Sequence, residues 1–132
     1  MKVSFTANGT TTSAELADDE EGARVRWGSP PDVQAMVDTL TYPEAATADN
    51  EPRGNLQAAF SLAVGRQHAS LGAAMLYCVQ ECFARAGRKG TLTWTETGAT
   101  LNLLNTTLAR AHVVMQIGVY VVIEYQFIGG NL

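Results

Sequence analysis

The sequence predicts a mainly β, α+β protein: an antiparallel β-sandwich or small barrel with one flanking α-helix at about residues 70–86. Three observations carry this. The stretch GVYVVIEYQFIGG alternates with a period of two, placing Val119, Val121, Ile123, Tyr125 and Phe127 on one face, the signature of a β-strand. Only one stretch, around LGAAMLYCVQECFAR, has clear helical spacing. Strand patterns precede and follow that helix without the repeated strand–helix–strand alternation of a parallel sheet.

In chain order, KVSFT alternates Val3 and Phe5 with polar residues, SAELA is a weak second run, and ARVRW alternates Val25 and Trp27 with Arg24 and Arg26. The ADDEEG between the last two is a turn. SPPDVQAMVDTL admits two readings, a helix capped by Ser29 and Asp32 or a strand entered through Pro30 and Pro31; its shortness favours a strand or a single turn. TYPEAATADNEPRGN, residues 41–55, has two prolines, one glycine and no periodicity, so it reads as a long exposed loop, a kind of segment that usually has a task.

The second half is more regular. NLQAAFSLAVGR puts Leu56, Ala58, Phe60, Leu62 and Val64 on one strand face. Ser70 offers a helix N-cap, and Leu71, Ala74, Met75, Cys78, Val79, Cys82 and Phe83 trace the stripe expected to be buried. Gly87 stands where a left-handed C-cap residue is wanted, with Arg85, Arg88 and Lys89 near the negative end of the helix dipole. TLTWTE, a turn at Gly98, ATLNLL, TTLARAHVVMQI, a break at Gly118 and the final strand complete a meander of four strands.

With 132 residues, 46% of them hydrophobic and 17% charged, the chain fits one globular domain over 1–132. A net charge of −4 argues against phosphate-backbone binding as the main task. The charge is uneven: residues 1–55 hold ten acids against four bases, and residues 56–132 three acids against five bases. No apolar run is long enough to cross a membrane, and MKVSFTANGTTTS lacks the apolar core of a signal peptide, so synthesis in a cytoplasm is expected.

Catalytic and metal-binding patterns are absent from the sequence. Cys78 and Cys82, four apart on a helix, project in parallel and suit core packing better than a disulfide or zinc. His68 and His112 stand alone in their stretches, no nucleophile elbow, P-loop or dinucleotide fingerprint occurs, and the DDEE carboxylates look solvated. No cofactor or metal is expected, and no enzyme activity.

The block RGNLQAAFSLAVGRQHASLGAAMLYCVQECFARAGRKGTLTWTETGATLNLLNTTLARAHVVMQIGVYVVIEYQFIGG, residues 53–130, resembles virion structural proteins of tailed bacteriophages, especially tail tube and neck subunits. The resemblance lies in the strand ending VGRQHAS, the alanine-rich helix from LGAAM, the GTLTW strand, the LLNTTL step and the closing strand. It implies a subunit that assembles with itself into rings, commonly hexamers, beside other tail or neck proteins of a virion made in the host cytoplasm, with DNA passing through unbound. On that reading the self-association residues are Val122, Glu124 and Tyr120, on the second face of the terminal strand, with Pro43, Glu44, Asp49 and Arg53 of the long loop. The rival from another class is a hotdog- or cystatin-like enzyme or ligand binder, a helix wrapped by an antiparallel meander, which would need a carboxylate or His beside the helix N-terminus; His68 is the one available.

Overall fold

A computed structural model describes residues 1–35 and 56–132 of the chain. Among these residues seven strands, β1 (Lys2–Ala7), β2 (Ala14–Asp18), β3 (Arg24–Ala35), β4 (Leu56–Gln67), β5 (Arg88–Glu96), β6 (Ala99–Ile117) and β7 (Tyr120–Asn131), accompany one helix, α1 (Leu71–Arg85). The protein is mainly β, with one antiparallel sheet and a flanking helix, as its alternation predicts. The loop at 41–55, with Pro43, Glu44, Asp49 and Arg53, lies outside the described residues.

The strands lie in the order β2-β1-β5-β6-β7-β4-β3, and every pairing is antiparallel. The two outermost strands, β2 and β3, are consecutive in sequence and joined only by the one-turn 3-10 helix Asp19–Glu21 and its flanks. So short a link forces the sheet to curl until its edges meet. They do so at Asp18 and Ala23, whose backbones exchange hydrogen bonds of 2.8 and 3.1 Å. Gly22, in the left-handed region at φ +78°, makes the tight turn possible.

β6 links the two halves of the sheet. The two runs expected as separate strands, ATLNLL and TTLARAHVVMQI, form one bent strand of 19 residues, whose first part pairs with β5 and whose second part pairs with β7. Asn105 at φ +53° and register shifts at Leu108/Arg110 and Val113/Met115 make the bend. Likewise ARVRW and the following SPPDV run on as the single strand β3, with a register shift between Ser29 and Asp32 where the two prolines fall.

The concave side holds the core. Val121, Ile123, Tyr125 and Phe127 of β7 are buried there with Val3, Phe5, Leu16, Leu62, Val64, Leu92 and Leu108, and Ala74 and Cys78 of α1 close over them. Phe60 stacks on Phe127 at 5.0 Å across the β4–β7 pair. Burial at about 25 cal/mol per Å² of apolar surface makes this continuous cluster the main source of stability.

Candidate functional site: the outward face of the helix

α1 begins where Ser70, in extended conformation, turns its hydroxyl to accept the Ala73 N–H at 3.1 Å. It ends at Ala86, also extended. Gly87 has the expected positive φ, +82°, yet it serves the sheet: its N–H donates to the Leu108 carbonyl and sends the chain into β5.

The side of the helix that faces the sheet carries Ala74, Cys78 and Glu81, with Tyr77 and Cys82 partly buried beside them. Ala74 and Cys78 are buried, and their size lets the helix approach the large side chains of β7 closely. Glu81 is only 8% exposed. Its Oε1 accepts from the Tyr125 hydroxyl at 2.9 Å and from Arg85 Nε at 3.2 Å, one helical turn on. A buried carboxylate held by a neutral and a cationic donor is satisfied rather than poised for chemistry. Burial, with Tyr77 and Glu81 beside it, pushes the Tyr125 hydroxyl well above the ordinary tyrosine pKa, and burial raises Tyr77 as well. Both rings therefore stay neutral hydrogen-bonding groups at physiological pH.

The opposite side is apolar and open. Of the stripe expected to be buried, Ala74 and Cys78 are buried and Cys82 is partly so, but Leu71, Met75, Val79 and Phe83 point to solvent, with Leu76 beside them. Phe83 is 85% exposed, Leu76 57% and Val79 54%. The reason is geometric. At 100° per residue, Gly72, Leu76, Val79 and Phe83 fall on one line opposite Ala74, Cys78 and Glu81. The Glu81–Tyr125 bond fixes the helix with Ala74, Cys78 and Glu81 inward. The helix is thus inverted relative to an ordinary surface helix. Its composition carried the signal: Gln80, Glu81 and Arg85 are its only charged or amide residues, and a helix apolar nearly all round is one covered on both sides.

The residues expected to mediate self-association on β7 fare differently from one another. Val122 is 0% exposed, so the single chain already covers it and no second copy can reach it. It lies between Gly65 of β4 and Met115 of β6. The space a side chain at Gly65 would fill is taken by Tyr120 and Arg26, and Arg26 Nε donates to the Tyr120 hydroxyl at 2.7 Å. Tyr120 is therefore committed to closing its own sheet, although it stays partly exposed. Glu124, also partly exposed, borders a shallow cleft of about 260 Å³ lined by Ser29, Ser61, Gln126 and Ile128. Within it Gln126 Nε2 donates to Glu124 Oε1 at 2.8 Å, His112 Nε2 stands 3.8 Å from the same oxygen, and Ser61 donates to Ser29 at 3.1 Å. Among the described residues no hydrogen bond joins either serine to His112, so no nucleophile–base pair is assembled here.

The remaining reactive groups are also engaged in structure. Cys78 and Cys82 are free, and burial pushes both thiols up, which favours the unreactive protonated form. His68, just before α1, packs against Tyr77 with ring centroids 4.5 Å apart, and Arg66 lies over the same ring at 5.5 Å. Burial, with the Arg66 charge, holds the His68 imidazole below its ordinary pKa. Among the described residues no three His, Cys, Asp or Glu side chains converge as metal ligands would. Compared with family models, curated proteins and solved structures, the chain gives no match to any.

Proposed function

We propose that the protein is a structural subunit that works by assembling with itself, of the ring- and tube-forming kind found in the tail or neck of tailed-phage virions, with DNA passing the assembly unbound. One observation carries the reading: the helix turns Leu76, Val79 and Phe83 outward and its single buried acid inward, which is costly for a solitary protein and useful for one with a partner. With roughly 150–250 Å² for a large side chain, five residues at half exposure or more present roughly 500 Å² of contiguous apolar surface. That is near the upper end for a monomer and large enough to form the core of an interface. The curled antiparallel sheet and the acidic first half of the chain agree with the virion reading, since an acidic channel wall repels phosphate.

Electron microscopy of the purified, concentrated protein tests the reading. Rings or tubes of uniform diameter are expected; a protein that stays as single particles of one chain at every concentration and salt would overturn it.

A further inference from the structure

We infer that the outward face of α1 pairs with the same face of a second copy, antiparallel about a two-fold axis, with Phe83 of each helix seated over Gly72 of the other. The inference rests on the self-assembly reading and specifies its first contact.

The stripe is self-complementary. Gly72, Leu76, Val79 and Phe83 follow one another at spacings of four, three and four, the seam of a helix pair. A two-fold axis midway along the stripe brings residue 72 opposite 83 and residue 76 opposite 79, so the size order glycine, leucine, valine, phenylalanine is matched by its own reverse. Gly72 is open: nothing lies within 4 Å of where a side chain there would begin. Phe83, the most exposed large hydrophobic side chain among the described residues, supplies the ring for that gap. In a parallel pair the two Phe83 rings would collide and the two gaps at Gly72 would face each other empty, a loss of packing at both ends.

Charge points to the same occupant. The outward face carries no charged side chain, so two chains of net charge −4 meet without placing like charges at the contact. A basic or acidic partner would find nothing there to pair with. The stripe offers less apolar surface per copy than the about 800 Å² per partner of a standard interface, which fits a pairing that is one joint of a larger assembly. A two-fold pair joins two copies and stops, so the proposed ring closes through a separate contact.

Cross-linking between two single-cysteine variants tests the arrangement. Gly72→Cys and Phe83→Cys are prepared separately, and a short bismaleimide is applied to each alone and to their mixture, one being size-tagged. In the antiparallel pair the two new thiols of a mixed pair face each other and one Phe83–Gly72 contact survives, whereas like positions are about 16 Å apart along the axis. The mixed pair is expected to cross-link at least about tenfold faster than either variant alone, with the parent chain as background for Cys78 and Cys82. Cross-linking of each variant to itself as fast as the mixture, or no mixed product above background while the protein still self-associates, would overturn the antiparallel pairing and leave self-assembly standing. A parent chain that sediments as a monomer throughout would overturn both.

Discussion

The Tyr125 hydroxyl donates to Glu81 Oε1 at 2.9 Å across the seam between sheet and helix, and this bond sets which way the helix faces. Tyr125 is fully buried and Glu81 nearly so. Rotating α1 to bury its bulky stripe would carry Glu81 away from Tyr125. Replacing Tyr125 with Phe leaves the carboxylate with Arg85 alone and should destabilise the fold by about 1–3 kcal/mol, read from urea unfolding. A change within error would mean that the bond contributes nothing to holding the helix.

The same hydroxyl gives a pH dependence with a definite sign. Its folded pKa lies well above the ordinary 10.0, so above that pH the unfolded chain loses a proton that the folded chain keeps. Stability from this group is complete below about pH 10 and falls as pH rises beyond it. Tyr125→Phe should flatten that alkaline loss, measured by thermal unfolding between neutral and strongly alkaline pH; an unchanged slope would contradict the assignment.

His68 acts at the other end of the scale. Because burial beside Tyr77, with Arg66 next to it, lowers its folded pKa below 6.5, the unfolded chain takes up a proton first as pH falls. Stability should decline on acidification below about 6.5, and His68→Asn should reduce that decline. A variant with the same acid slope as the parent would assign the loss to other groups.

Glycines in contrasting surroundings predict opposite results. A side chain at Gly90 would run into the backbone of Thr6 and Ala7 on β1, so Gly90→Ala should destabilise the chain by about 1–3 kcal/mol. Gly72 has open space and sits in the first turn of α1, so Gly72→Ala should be neutral or stabilise the single chain by up to about 1 kcal/mol. Chemical denaturation at concentrations where the chain is monomeric distinguishes them, and equal effects would contradict the packing at β1–β5.

Much of the fold was legible because alternation and spacing are local. The alternation within β7, the Ser70 cap and the extent of α1 follow from a few neighbouring residues each. The facing of α1 was not, because Leu71, Met75, Val79 and Phe83 form as good a stripe as the one that is buried, and the choice is made by Tyr125, 44 residues from Glu81. Val122 was misplaced for a similar reason: it is flanked by Gly65 and Met115 on neighbouring strands, and the space over Gly65 is filled by Tyr120 and by Arg26, 94 residues before Tyr120 in the chain. The closing of the sheet rests on β2 and β3 standing at opposite edges, which no local pattern announces.

Sedimentation equilibrium of the parent chain and of Phe83→Glu tests the central claim most directly. Phe83 makes little contact with its own chain, so the variant should keep the parent's circular dichroism spectrum. The parent should show an average mass that rises with concentration above the 14.1 kDa of one chain, and the variant should show a clearly lower average mass at every concentration, because a charge buried in the apolar helix contact has no partner. A parent that stays at one chain's mass, or a variant that associates as strongly as the parent, would contradict the account.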